Sequence, residues 1–308
     1  MTRIGTSDLD IFPLVLGGNV FGWTADEATS FALLDAFVDG GGTMVDTADG
    51  YSHWVPGHHG GESETIIGAW TAARGTRDQV LLATKVATHP QLKGLRPETV
   101  VRAADASLTR LGTDRIDLYY AHFDDPSVPM ADIVGTMSAL VDAGKVRYVA
   151  ASNFSPQRLD EWFAQTEAQG CHAAVALQPH YNLVERAFET DGLRDVAQRQ
   201  DLGVLPYYSL ASGFLTGKYR PGRAVPGDRA AKATAYLTPH GEAVLTVLDE
   251  VAAKYGVEVA TVALAWLRAQ PTVVAPIASA SHPEQLPALL ASATLNLTDD
   301  EITALSGV

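Results

Sequence analysis

The sequence is short of the features that mark secreted, membrane or nucleic-acid-binding proteins. It has one cysteine, Cys171, so no internal disulfide can form. That fits a reducing compartment, and a lone cysteine before an apolar run reads as a small packing residue rather than a nucleophile. No apolar run approaches the ~20 residues needed to cross a bilayer. The start, Met1-Thr2-Arg3-Ile4-Gly5, lacks the charged and apolar regions of a signal peptide. The expected location is the cytoplasm. Positive charge is in deficit: 22 Lys and Arg face 36 Asp and Glu, for a net charge of −14. Such a surface repels phosphates and anionic lipid, so neither nucleic acid nor membrane is an expected partner.

Two motifs are also missing. There is no early G-x-G-x-x-G, the fingerprint an open doubly wound sheet would carry for a dinucleotide. There is no H-x-H strand motif either. A metal-dependent hydrolase would have to recruit the scattered Asp46, His53, His58, His59 and His122, and no metal is expected.

What the sequence does have is alternation. Strand-length apolar runs fall at 12–18, 43–46, 80–85, 116–122, 146–151, 174–178, 203–207 and 272–277. Between them lie stretches with helical spacing. These cover 26–39, with Phe31, Leu34, Ala36 and Val38 as its apolar residues, then 63–74, and a segment from Pro97 carrying Val100, Val101, Ala104 and Leu108. Others cover 133–143, a segment after the cap-like Ser155-Pro156, residues up to Arg199, and a last one from Pro283. Eight strand–helix units whose strands lack a clean two-residue alternation describe a parallel sheet covered by helices. Eight units closing on themselves make a single-domain (β/α)8 TIM barrel. Residues 3–10 are expected to form a short hairpin over the barrel bottom. Two long loops, 49–61 and 209–238, follow strand C-termini, the face where barrel active sites sit.

That face is where candidate chemistry concentrates. Asp46, Lys85 and His122 end the second, third and fourth strands, and Tyr51 follows the second. Singly, each has an ordinary explanation as a cap, a packing residue or a satisfied core group. Lys85 is the hardest to explain that way, because the chain has only six lysines and an ammonium closing an apolar strand is costly unless paired. Together the four are complementary. An ammonium beside a phenol is expected to lower its pKa from about 10, a carboxylate holds the ammonium, and an imidazole orients a substrate oxygen. Such a set protonates an oxygen on which charge is developing.

These residues resemble the aldo-keto reductases. Asp46-Thr47-Ala48-Asp49-Gly50-Tyr51 is similar to the family's D-T-A-x-x-Y segment. Ala83-Thr84-Lys85 is similar to its strand-three lysine, and Tyr119-Tyr120-Ala121-His122 to its strand-four histidine. The resemblance implies hydride transfer between NADP(H), or NAD(H), and a small-molecule aldehyde, ketone or alcohol, with Tyr51 as general acid/base assisted by Lys85, Asp46 and His122. It also implies cofactor contacts. Gly18, Asn19 and Val20 would lie near the nicotinamide ribose, with Asp46 beside them. Ser152, Asn153 and Gln178 would hold the carboxamide, and Tyr207 would stack on the ring. Tyr208, Ser209, Leu210, Gly213, Leu215, Gly217 and Lys218 would belt the pyrophosphate, and Ile277, Ala278, Ser279, Ser281 and Gln285 the adenosine phosphate. Three departures stand out. Ser281 replaces the basic residue that often grips the NADP 2′-phosphate. Leu289 and Leu290 occupy the area of the asparagine that often holds adenine. Tyr208-Ser209-Leu210 replaces S-P-L. A nucleotide-binding module without turnover is the non-enzymatic alternative. Trp23 and Trp54 are candidates for a substrate pocket lining.

Overall fold

All eight apolar runs supply a strand to one parallel sheet. The computed structural model describes residues 1–308. The strands are β1 (Val15–Gly17), β2 (Met44–Asp46), β3 (Leu81–Val86), β4 (Ile116–Ala121), β5 (Val146–Ser152), β6 (Ala174–Gln178), β7 (Gly203–Val204) and β8 (Ile277–Ala278). Their order is β7-β6-β5-β4-β3-β2-β1-β8. The sheet closes where Val204 bridges Val273 and the Val274 amide donates to the Val204 carbonyl at 2.9 Å. The architecture is a (β/α)8 barrel.

The last two strands are shorter than their apolar runs. Pro206 and Pro276 interrupt them, and proline has no N–H for a ladder. Their carbonyls still serve: Pro206 accepts from the Ile277 amide and Pro276 from the Val15 amide, each at 3.0 Å.

The helices are α1 (Glu27–Asp39), α2 (Glu62–Arg74), α3 (Pro97–Leu111), α4 (Met130–Asp142), α5 (Pro156–Gln169), α6 (Leu193–Arg199), α7 (Ala230–Thr234), α8 (Pro239–Tyr255), α9 (Val259–Arg268), α10 (Leu286–Ala291) and α11 (Asp299–Ser306). Asp26, Ser155 and Thr238 cap α1, α5 and α8 through their side chains. The buried stripe of α1 is Ser30, Leu33, Leu34 and Phe37, spaced for one face, and not the expected Phe31, Ala36 and Val38. On α3 Val101 points outward, 39% exposed, while Val100, Ala103, Ala104 and Leu111 are buried. Helices α7, α8, α9 and α11 were not anticipated, α7 lying inside the expected loop 209–238, although Thr238-Pro239 and the Thr298–Glu301 capping box both signal a start. No helix is long and apolar enough to cross a membrane.

Strand parity decides what faces the barrel interior. Successive side chains alternate between faces, and Met44, Ala83, Leu118, Tyr120, Ala150 and Ala176 pack together inside. Val45, Leu82, Tyr119 and Ala151 instead join the larger core under the helices. Two residues beyond the interior positions, on the same face, come Asp46, Lys85, His122, Ser152 and Gln178. The expected N-terminal hairpin pairs Thr2–Arg3 with Asp10–Ile11, and Ile4, Leu9 and Ile11 plug the opposite end of the barrel.

Helices α2 and α3 touch through a glycine. A Cβ on Gly68 would stand 2.3 Å from the Arg110 carbonyl oxygen and 2.8 Å from the Leu111 carbonyl carbon. Backbone on both sides leaves no room to yield. Gly68→Ala is therefore expected to destabilise by about 1–3 kcal/mol, read as a lower urea midpoint with an unchanged m-value.

Candidate active site

The four catalytic candidates meet at the C-terminal mouth of the barrel. Lys85, fully buried, uses all three ammonium hydrogens. Its Nζ donates to Asp46 Oδ2 at 2.6 Å, to the Thr47 carbonyl at 2.7 Å and to the Tyr51 hydroxyl oxygen at 3.1 Å. The other oxygen of Asp46 accepts from Gln178 Nε2 at 3.0 Å. Tyr51 sits in a tight loop held by Ser52, a residue with φ 69° whose Oγ donates to the Phe21 carbonyl at 2.8 Å. Strain of this kind clusters at working sites. The His122 ring lies 6.1 Å from the Tyr51 ring, centroid to centroid.

Electrostatics amend one expectation. Burial raises the Tyr51 pKa above 10, and the Lys85 ammonium only offsets part of that rise. The phenol is thus a neutral donor at rest rather than a partly ionised one. Burial works against the Lys85 charge, but Asp46 and Tyr51 outweigh it and hold its pKa above 10.5. His122 is pushed well below 6.5 by burial, helped by the charge of Lys85, so its imidazole is neutral at pH 7.

A second group of expected residues surrounds this mouth. Ser152 Oγ donates to the Gln178 carbonyl at 2.8 Å, and Asn153 Nδ2 donates to the His122 carbonyl at 2.8 Å. The Tyr207 hydroxyl donates to Asn153 Oδ1 at 2.8 Å. One face of Tyr207 is covered by His180, stacked at 5.3 Å and 18°. Ser279 Oγ donates to Asn19 Oδ1 at 2.6 Å, joining β8 to the loop after β1. Ser281 meets Thr24 at 2.9 Å, and its amide donates to Gln285 Oε1 at 2.9 Å. Gly18 is hemmed in: its amide donates to the Asp46 carbonyl at 2.7 Å, and a Cβ there would meet Ser63 Oγ at 2.9 Å. Val20, Leu215, Ile277 and Ala278 are buried, so only their backbone is available to a ligand. Ser209 is buried as well, its Oγ donating to the Pro206 carbonyl at 2.9 Å.

After β7 the chain turns through Tyr208, Ala211, Ser212, Gly213 and Gly217, all at positive φ, with Leu210 between them. Such turns form concavities of backbone N–H groups suited to an anion. Lys218 follows. Sequence reading missed Arg229. Its guanidinium lies 5.3 Å above the Trp23 ring, and its Nη2 is buried without a hydrogen-bond partner. Burial lowers its pKa, and burial together with the charge of Arg229 lowers that of Lys218. A buried guanidinium without a partner, with an exposed lysine close enough to feel its charge, suits an anionic group. The only sequence signal was an arginine in a glycine-rich loop.

No three His, Cys, Asp or Glu side chains converge at metal-binding spacing. Asp46 is committed to Lys85 and Gln178, and His53 Nδ1 lies 2.7 Å from the Gly50 carbonyl. The ligand set considered for a hydrolase does not assemble.

A family profile described as the aldo/keto reductase family matches residues 13–308. The chain belongs to that family. Among its relatives are "Uncharacterized oxidoreductase YrpG" of Bacillus subtilis, 34% identical over 316 residues covering 100% of this chain and 95% of that one, and "Aldo-keto reductase YhdN" of the same species, 34% identical over 311 residues covering 97% and 89%. "Norsolorinic acid reductase B" of Aspergillus parasiticus is 30% identical over 317 residues, covering 97% and 81%. Aldo/keto reductase membership implies NAD(P)H-dependent carbonyl reduction.

Proposed function

We propose that this chain reduces an aldehyde or ketone with an aromatic or apolar body, using Tyr51 as the proton donor. The observation that carries the reading is the bonding of Lys85. Because Nζ donates to the Tyr51 oxygen, the hydroxyl hydrogen is left free, and no protein group accepts it. That hydrogen is available to a carbonyl oxygen at the mouth. A bound nicotinamide dinucleotide supplies the hydride. As charge develops on the substrate oxygen, Tyr51 gives up its proton, and the phenolate forms beside an ammonium that Asp46 and the Thr47 carbonyl hold in place. Neutral His122 orients the oxygen.

Cofactor contact falls to residues already in reach of the mouth: Asn19, Ser152, Asn153, Gln178 and Tyr207 for the nicotinamide half, and the turn 208–217 with Lys218 and Arg229 for the phosphates. Ser279, Ser281 and Gln285 follow at the adenosine end. Ser281 offers a 2′-phosphate a hydroxyl but no charge.

The substrate class follows from three exposed aromatics. Trp54, Phe123 and Tyr208 are 44%, 46% and 43% exposed. Trp54 lies 6.3 Å from the Tyr51 ring and Phe123 5.0 Å from His122. Leaving such surface in water is unfavourable unless something covers it.

Fluorescence titration with NADPH and NADH, followed by a carbonyl panel, tests the proposal. Aromatic aldehydes should turn over with higher kcat/KM than short aliphatic ones. Arg229→Met should weaken dinucleotide binding by about 1.5–3 kcal/mol, roughly 10–100-fold in Kd. Absence of dinucleotide binding, or binding without turnover across the panel, would end this reading.

A further inference from the structure

Beneath the mouth lies a carboxyl group that the reaction outlined above does not use. Asp49, at the first variable position of D-T-A-x-x-Y, is 0% exposed. Its Oδ2 has no hydrogen-bond partner. Its Oδ1 lies 3.3 Å from Thr88 Oγ1, and the same hydroxyl lies 3.3 Å from His122 Nδ1. The amide of Asp49 is tied to the Lys85 carbonyl at 3.1 Å, so the carboxyl is fixed relative to the tetrad. The neighbouring acid, Glu64, is fully engaged: Oε1 accepts from Thr84 at 2.5 Å and Oε2 from Arg110 at 2.6 Å. Asp49 is left without a cation of its own.

We propose that Asp49 and Thr88 form a hydrogen-bond chain that sets which ring nitrogen of His122 carries the proton. The inference rests on the reductase reading above for its consequence, though not for its geometry. A hydroxyl has one hydrogen and accepts with its oxygen, so Thr88 transmits direction. With Asp49 neutral, the carboxyl O–H donates to Thr88, Thr88 donates to Nδ1, and the imidazole proton sits on Nε2. Nε2 hydrogen-bonds nothing in the protein and is free to donate to a carbonyl oxygen. With Asp49 ionised, Thr88 donates to the carboxylate and accepts from Nδ1–H, and Nε2 offers a lone pair instead. The two states differ by one proton. It leaves Nε2 toward the mouth, the Thr88 proton passes to Nδ1, and the carboxyl proton passes to the Thr88 oxygen. The imidazole is neutral in both. Asp49 and Thr88 are thus positioning residues, and the neutral acid is the form that supports reduction.

The surroundings place the change in an accessible range. The groups that face Asp49 are Glu64 on α2, Arg110 on α3, Tyr119 on β4, and Thr88 and His89 on the antiparallel hairpin Thr88–His89/Leu92–Lys93. His89 stands across Gly60 from the Asp49 backbone: a Cβ on Gly60 would lie 3.1 Å from His89 Nε2 and 3.3 Å from the Asp49 main-chain oxygen. Burial, then the Glu64 charge, push the Asp49 carboxyl up to about 8, with Arg110 and the Thr88 hydroxyl pulling the other way. Tyr51 and Lys85 both titrate higher still, so a change near pH 8 is not theirs.

Two measurements on the full chain test the chain of bonds. The first is kcat for carbonyl reduction between about pH 6 and about pH 10. Wild type should decline above about pH 8, and Asp49→Asn, whose amide donates to Thr88 at every pH, should lose that decline. Thr88→Val should lower kcat on the order of tenfold with cofactor Kd unmoved, and Thr88→Ser should restore it. The second is 15N NMR of histidine-labelled protein, with His122 assigned by difference against His122→Asn. Its proton should move from Nε2 to Nδ1 as pH passes about 8 in wild type, and stay on Nε2 in Asp49→Asn. One tautomer throughout in wild type, or an alkaline decline that persists in Asp49→Asn, overturns the proposal. A tautomer switch in a chain without turnover supports the relay and refutes the reductase reading, so the two fail separately.

Discussion

Tyr51→Phe is expected to lower kcat by about 10²–10⁴-fold, the contribution of a positioned general acid, while dinucleotide affinity stays within about twofold. The substitution removes one oxygen. That oxygen accepts a hydrogen bond from Lys85 and makes no other bond to the protein, so its loss leaves Asp46 and the Thr47 carbonyl still holding the ammonium. The aromatic ring, its contacts with Trp54 and His122 and the walls of the mouth are retained. What disappears is the only proton at the mouth bonded to an oxygen that is itself polarised by a buried cation. Steady-state kinetics at saturating carbonyl, with a fluorescence Kd for the dinucleotide, separate chemistry from binding. A variant that keeps more than about a tenth of wild-type turnover would assign the proton to another group.

Lys85→Met should affect catalysis and stability together. Methionine is close in volume, so the cavity term is small. The electrostatic term is not. Asp46 is 3% exposed, and without Lys85 it keeps only Gln178 as a partner. Removing one member of a buried ion pair costs about 3–5 kcal/mol, because the remaining charge has neither water nor a counter-ion. Chemical denaturation reads that loss, and kcat should fall by an amount comparable to Tyr51→Phe. Adding Asp46→Asn separates the two effects. Neutralising the stranded carboxylate should restore much of the stability, whereas turnover should remain low, since no ammonium faces the phenol. Recovery of turnover in the double variant would mean that Lys85 serves only to balance Asp46.

Three of the four candidates were legible because they end strands, and Tyr51 because it follows one closely. Asp46, Lys85 and His122 each close an apolar run, and the class of a parallel barrel puts such residues on the working face. Gln178, Ser152 and Asn153 entered only through the family resemblance. Their hydrogen bonds to Asp46, Gln178 and His122 were not legible, since each joins positions distant in the chain. Arg229 escaped notice because charge in a glycine-rich loop usually means a solvated surface. Only burial against Trp23 makes its unpaired nitrogen informative. Helices α8 and α9 lay in a stretch assigned to no element, where two long helices stand in one helix's place in the repeat.

The expected direction of the Tyr51 shift failed for a related reason. Sequence supplies the identity of a neighbour, here an ammonium, and chemistry supplies its sign. How deeply the phenol is buried depends on what the loop 49–61 packs against, and desolvation outweighed the charge.

By itself, then, the chain's amino-acid order determined the eightfold strand–helix rhythm and the residue types at the strand ends, because these depend on patterns a few residues long. Tertiary structure alone decided which donors reach which acceptors, which carboxyl is stranded and which cation is unpaired. Those depend on distances between segments far apart in sequence and on the exclusion of water, and both arise only when the barrel closes.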